Sequence, residues 1–208
     1  MRPTYTIEHL LGSRSRIAVL RVLQGVSVPL NASQIAARAK LSHVAAASVL
    51  SDFASMGVIL SSPAGRATVH WLNRESVYVE SMLEPLFQAE SDVPEHLVDD
   101  LAWAFQDEAI SVVLFGSYAR GDQTPVSDVD VALVADGPDK KSALDSAIAA
   151  YASEFRSRFG ASLSALTYTC QEAEALWETS SELAESLHRE GIVISGLSPW
   201  EWCDHAEE

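Results

Sequence analysis

The sequence predicts an α+β protein in two parts, a helical N-terminal part closed by a β-hairpin and a C-terminal part of strands and helices. Three observations carry that expectation. Between residues 12 and 56 apolar side chains recur at helical spacing, and two short β-prone runs follow. Two short strand-like runs, Ile110–Phe115 and Val129–Leu133, lie later in the chain with glycine between them. Charge divides the same way: residues 1–80 carry eight Lys/Arg against four Asp/Glu, a net of +4, whereas residues 81–208 carry six against twenty-five, a net of −19.

At 208 residues and 48% hydrophobic content the chain can build one large domain or two small ones, each with its own core. No apolar run approaches the roughly 20 residues that cross a bilayer. MRPTYTIEHLLGSRSR lacks the apolar segment of a signal peptide. Cys170 and Cys203 are too few for a disulfide framework or a zinc site. The expectation is a reduced, soluble, cytoplasmic protein with no membrane partner.

In the N-terminal part, Ile17, Leu20, Val22 and Leu23 mark a helix within 12–24. Asn31 or Ser33 caps a second, through Ile35, Ala36 and Ala39, and a turn follows at Lys40-Leu41-Ser42. A third runs through Val44, Ala46, Val49, Leu50 and Phe53 and stops at Gly57. Val58–Ser61 and Ala67–Leu72 form a hairpin around Pro63-Ala64-Gly65-Arg66. This order, and the stretch NASQIAARAKLSHVAAASVLSDFASMGVI, resemble a winged helix-turn-helix domain. The resemblance implies Ser42–Met56 as the recognition helix, Arg66 on the wing, double-stranded DNA as a partner and a homodimer. DNA contacts would come from Arg14, Arg16, Ser42, His43, Ser48 and Arg66. The exposed positions of the third helix would be His43, Ala45, Ala47, Ser48, Ser51 and Asp52. None is an Arg, Lys, Asn or Gln able to read a base edge bidentately, so phosphate contacts from the first helix and wing would dominate. The same module also serves as a protein-interaction domain.

Residues 75–106 read as helix with a break near Ser91-Asp92-Val93-Pro94, their apolar side chains spaced for buried faces. The expected domains are 1–78 and 79–208.

The chemistry gathers in GSYARGDQTPVSDVDVALV, residues 116–134. Gly116-Ser117 ends a buried strand and offers N–H groups and a hydroxyl, the means by which chains cradle phosphate. Asp128 and Asp130 lie two apart, so on a strand they share a face while Val129, Val131 and Leu133 pack on the other. Two unit charges at ~4 Å repel by about 4 kcal/mol at an effective dielectric of 20, a cost removed by a proton or a cation. Mg²⁺ takes one or two carboxylates together with phosphate oxygens and water. The pattern therefore expects a metal–nucleotide complex; the plain alternative is an edge strand with two solvated acids.

Gly116-Ser117-x-x-Arg120-Gly121 followed by Ser127-Asp128-x-Asp130 is similar to the signature of the nucleotidyltransferases of the DNA polymerase β superfamily, in its minimal prokaryotic branch. A mixed sheet with helices is the fold so implied, with a helix at 139–159 and a strand at 161–169. Leu72-Asn73-Arg74 and Glu190-Gly191-x-x-x-x-Gly196 fit prokaryotic fusions of a winged helix to such a domain. The resemblance implies that Asp128 and Asp130 bind Mg²⁺ (or Mn²⁺) and are catalytic. Gly116, Ser117, Arg120 and Ser127 would bind an NTP such as ATP. Arg120 serves the phosphates or else anchors its loop to Asp122 or Asp128. The reaction implied is transfer of an NMP, AMP above all, to a hydroxyl of a protein, RNA or small-molecule acceptor, with a toxin–antitoxin or defence setting among the possibilities. One departure stands out. Active members usually carry a third carboxylate on a later strand, but the strand ASLSALTYT offers only Ser162, Ser164 or Thr167, and no acid lies between Glu154 and Glu172. Glu172 or Glu174, just past the strand, or Asp122 would have to reach in to replace it, and all three read more simply as surface charge. A DNA-binding regulator that senses a nucleotide without turning it over is thus the other reading.

Toward the C-terminus Thr179–Glu190 reads as helix and Ile192–Ile194 as a last strand. Trp200 and Trp202 are expected to dock on the core or a partner subunit, and Cys203 with His205 supplies two metal ligands, too few for a site.

Overall fold

The computed structural model describes residues 3–178 and 182–202. The chain divides into two compact units, Met1–Asp92 and Val93–Glu208.

The first unit begins with helices α1 (Ile7–Leu11) and α2 (Arg14–Gln24), a two-residue strand β1 (Leu30–Asn31), and helices α3 (Ala32–Arg38) and α4 (His43–Ser55). The hairpin β2 (Ile59–Ala64) and β3 (Ala67–Leu72) follows. Local chemistry sets the boundaries. Ser13 and Ser42 accept the N–H groups of Arg16 and Ala45, each at 3.2 Å, and so cap α2 and α4. Asn31 and Gln34 satisfy each other's N–H groups at 2.9 Å in a capping box that starts α3. Gly57, at φ 69°, ends α4. The three strands are antiparallel in the order β1-β3-β2, with Ile59 opposite Leu72 and Ala64 opposite Ala67. Leu20, Leu23, Ile35, Leu50, Phe53 and Ile59 form the centre of the core. Asn73 fastens the end of the hairpin to the end of α4, donating from Nδ2 to the Gly57 carbonyl (2.9 Å) and from its N–H to Val58 (2.9 Å).

Two expectations fail in this unit and just beyond it. Val44 is not a core residue; it is 78% exposed, on the outer face of α4 beside His43. The break expected at Ser91–Pro94 is absent. A π-helical turn (Val79–Leu83) runs into α5 (Glu84–Phe105), and α5 continues through Pro94. An interior proline costs a helix about 3 kcal/mol. Leu97, Leu101 and Phe105 are all buried beyond it, at about 1.5–3 kcal/mol apiece, and that outweighs the proline. The unit division nevertheless falls at Asp92–Val93, next to the proline.

In the second unit the C-terminal part of α5 is followed by β4 (Ser111–Phe115), α6 (Gly116–Arg120), β5 (Val129–Ala135), α7 (Pro138–Phe159), β6 (Leu163–Thr169), α8 (Cys170–Glu178), α9 (Glu182–Glu190) and β7 (Ile192–Gly196). The sheet is mixed, in the order β6-β5-β4-β7; β5 and β6 run parallel and the other pairs antiparallel. Each face has its own core. Val112, Leu114, Val129, Val131 and Leu133 pack with Leu101, Phe105, Leu144 and Phe155, side chains of α5 and α7. Val113, Ala132 and Val134 pack with Ala173, Leu187 and Trp202 on the opposite side. Trp202 therefore docks on this core: it is fully buried and its Nε1 donates to Ser111 Oγ at 2.9 Å, while Ser111 Oγ donates to the Leu197 carbonyl at 2.6 Å. Thr179, Cys203 and His205 lie outside the described residues, as does the side chain of Trp200. Among the described residues no helix is long and apolar enough to cross a membrane.

Candidate functional site

The site forms where β4 ends and β5 begins. Antiparallel pairing sets Phe115 opposite Asp130, so the turn that follows β4 lies beside the start of β5. The chain leaves β4 through Gly116, at φ 70°, a conformation that disfavours any side chain. A Cβ there would stand 2.5 Å from Asp130 Oδ2. The missing side chain is what lets the turn and the carboxylate share this space. Helix α6 ends at Gly121, also left-handed at φ 71°. In the loop that returns to β5, Ser127 Oγ accepts the Thr124 N–H at 2.9 Å and lies 3.1 Å from Thr124 Oγ1. The Ser127 hydroxyl thus braces the loop leading to Asp128.

Asp128 precedes β5 and is exposed; Asp130 lies within the strand and is half-buried. Val129, Val131 and Leu133 pack on the face away from Asp130, as the alternation predicts. Four other acids of this unit have partners of their own. Asp122 accepts from Arg120, Glu190 from Arg120 and Ser186, Asp145 from Thr167, and Asp100 from Tyr151 and Arg158. Among the described residues nothing hydrogen-bonds to or pairs with the carboxylates of Asp128 or Asp130. Two oxygen-donor side chains, close in sequence and without a protein cation, suit a hard divalent cation such as Mg²⁺.

Strand β6, parallel to β5, and the residue just before it carry the three hydroxyls that the sequence offered, Ser162, Ser164 and Thr167. Asp130 pairs with Ser164, so the row across the sheet reads Phe115, Asp130, Ser164. Ser162 flanks the entry to β5 through its backbone, its carbonyl accepting the Val129 N–H at 2.8 Å. Thr167 pairs with Leu133, on the other face, and its hydroxyl donates to Asp145 at 2.7 Å. Glu172 accepts the Thr169 N–H at 2.9 Å, at the far end of β6 from Ser164. There it lines a cleft of about 580 Å³ with Lys141, Asp145 and Gln171. Glu174 lies further along α8. No described group of three or more His, Cys, Asp or Glu is placed to hold a metal.

Arg120 bonds to neither Asp128 nor Asp130. Its Nε donates to Asp122 (3.1 Å) and a terminal nitrogen to Glu190 (2.8 Å), and these bonds push its pKa above the ordinary guanidinium value. Glu190 is held below the usual carboxylate range, first by the Ser186 hydroxyl and then by Arg120, against the opposing effect of burial. Ser186 gave no sign in the sequence, and Glu190 stood out only within Glu190-Gly191-x-x-x-x-Gly196, with nothing to tie it to Arg120. They lie about 70 positions from the motif, on a helix whose charges resemble any solvated face.

Of the residues expected at DNA, Arg14, His43 and Ser48 are exposed on α2 and α4, and Arg66 is exposed in the turn of the hairpin. Arg16 and Ser42 have structural partners. Arg16 pairs with Asp52 at 2.6 Å, bonds the His9 carbonyl and lies 5.2 Å over the Phe53 ring; Ser42 is the cap of α4.

Residues 95–190, just under half the chain, match the family model of the nucleotidyltransferase domain. The matched stretch holds α6, β5 and β6 and therefore every group at the Asp130 row. No curated protein matches the chain. A crystal structure of a toxin–antitoxin with AMP-PNP is similar at 17% identity and a TM-score of 0.35, over 53% of this chain and 83% of that one. Similarity at that level has no bearing on function.

Proposed function

We propose that the second unit is a nucleotidyltransferase that moves an NMP, AMP in the first instance, from a Mg-bound NTP to an acceptor hydroxyl. The observation that carries this reading is the pair of uncommitted carboxylates, Asp128 and Asp130, beside a glycine turn with no room for a side chain. The match of residues 95–190 to the nucleotidyltransferase domain supports it. Asp128 and Asp130 would hold the divalent cation. Bound there, it would supply charge neutralisation for the phosphates and the leaving pyrophosphate. The N–H groups of the Gly116-Ser117 turn and the Ser117 hydroxyl bind phosphate oxygens. Ser127, committed to Thr124, sets the approach of Asp128. The motif's resemblance also points to a toxin–antitoxin or defence setting, with a protein, RNA or small molecule as acceptor.

Titration of the pure protein with ATP, with and without Mg²⁺, tests the site. Wild type binds in a Mg-dependent way, and Asp128→Asn together with Asp130→Asn loses that dependence. Unchanged affinity in the double variant would remove the assignment.

A second reading is favoured by the first unit. Its helix order, the α3–α4 turn and the β2–β3 hairpin support a winged helix-turn-helix, with Arg14, His43, Ser48 and Arg66 exposed toward a duplex. With Ser164 in place of an acid, the second unit would then sense nucleotide and the first would bind DNA. Loss of duplex binding on Arg14→Ala with Arg66→Ala supports this reading, and no retardation of any duplex at low salt removes it.

A further inference from the structure

We infer that Glu190, the last residue of α9, is a positioning residue for the Gly116-Ser117 turn, and that Arg120 is the strut through which it acts. The inference rests on the proposed role of that turn in phosphate binding. Helix α6 is five residues long and has no fully buried side chain. So short a helix has little stability of its own. Its end is fixed instead by a relay of bonds. The Asp122 N–H returns to the Ser117 carbonyl at 3.1 Å, the Asp122 carboxylate accepts from Arg120, and the other arm of Arg120 reaches Glu190.

The two ends of the strut differ. The Glu190 side chain is 11% exposed and also accepts from Ser186 at 2.6 Å; that of Arg120 is 43% exposed. The acid is the fixed anchor and the arginine the arm. Arg189 stands 3.8 Å from Glu190 and is 72% exposed, a looser partner. Were Arg120 to leave for a phosphate, Glu190 would lose its close cation in a largely buried setting, which is unfavourable. Arg120 therefore stays on Glu190, and the turn meets phosphate through its N–H groups and Ser117.

The test compares Glu190→Ala, Glu190→Gln, Arg120→Ala, Arg120→Lys and the double alanine variant for binding of MgATP and of adenosine, alongside amide exchange in the ligand-free protein. A strut predicts that each alanine variant weakens MgATP by about tenfold, the scale seen when a group supporting a ligand is removed. Adenosine binding is unchanged, the double variant is no worse than the weaker single one, and Arg120→Lys recovers part of the loss. Exchange at Gly121 and Asp122 rises in Glu190→Ala and stays near wild type in Glu190→Gln, which keeps an oxygen acceptor. Retained or tightened MgATP binding in Glu190→Ala, with loss in Arg120→Ala, would overturn the inference, because Arg120 would then touch phosphate itself. Equal loss of adenosine and MgATP would also overturn it, as would unchanged exchange. Faster exchange in a protein whose wild type binds no MgATP would leave the strut standing and defeat the phosphate reading instead.

Discussion

Gly116 and Ser164 are the residues at which the account is most exposed. An alanine at 116 puts a methyl carbon 2.5 Å from Asp130 Oδ2 in a backbone conformation that disfavours it. The carboxylate must move, so Gly116→Ala is expected to weaken Mg-dependent ATP binding at least tenfold while the far-ultraviolet circular dichroism is retained. At 164 the change runs the other way. Ser164 is the direct neighbour of Asp130 across the parallel pair, and Ser164→Asp supplies the carboxylate that this row lacks. If the unit transfers nucleotides, the variant should do so faster, by about tenfold or more for each ~1.4 kcal/mol of barrier removed; an unaltered or lower single-turnover rate contradicts the role given to this row. Gly116 lies in the stretch 116–134 and Ser164 in the strand 161–169, both marked in the sequence. The relation of Ser164 to Asp130 was not legible, because three serine or threonine positions fitted equally well until the strand register chose among them. Val44 misled for a related reason: its periodicity suits a core, yet it falls on the outer face of α4.

Among the elements, β2, β3, β4, β5 and β7 and the helices α2, α3, α4 and α9 were legible from apolar spacing and turn residues. Helix α7 and strand β6 followed from the resemblance, and the two-residue β1 and the short α1 left no signal. The continuity of α5 was not legible, since a proline signals a break only while nothing buried lies beyond it. Helix α8 left no recognised signal either. The link between α5 and α7 makes a separate prediction. Tyr151 of α7 donates to Asp100 of α5, Arg158 pairs with the same carboxylate, and Asp100 is 8% exposed. Burial, then the bond to Asp100, raises the Tyr151 pKa well beyond its ordinary value near 10. A raised phenol stabilises the fold fully below pH about 10, and that contribution is lost as the pH rises beyond it, where the unfolded chain ionises first. Denaturant unfolding at pH 8 and pH 10.5 should show an alkaline loss in wild type that is smaller in Tyr151→Phe. That variant keeps the ring edge-on to Phe105 at 5.7 Å. An equal loss in both would contradict the assignment. At the sheet's other face, Trp202→Ala should cost about 3–5 kcal/mol, because a fully buried indole and its bond to Ser111 go together.

For the whole molecule, the unit division changes the meaning of the charge asymmetry. Counted to Asp92 rather than to residue 80, the first unit holds eight Lys/Arg against seven Asp/Glu, and the second six against twenty-two. Several cations of the first unit are spoken for: Arg16 by Asp52, Arg21 by Glu90 and Arg74 by Glu84. Among the described residues, Arg14, Arg38, Lys40 and Arg66 are the exposed ones without a described partner. Each phosphate neutralised contributes about 0.9 to the slope of log affinity against log salt. If the unit binds duplex DNA, that slope should be no steeper than about −4 per chain, and a steeper one would show that cations outside this set take part.

The most direct test of nucleotidyl transfer is to incubate the protein with cell lysate, Mg²⁺ and ATP labelled at the α-phosphate. Nucleotidyl transfer by the second unit predicts a labelled acceptor, and the label is lost with Asp128→Asn and Asp130→Asn together. A wild-type protein that binds MgATP and transfers no label to any acceptor would contradict it.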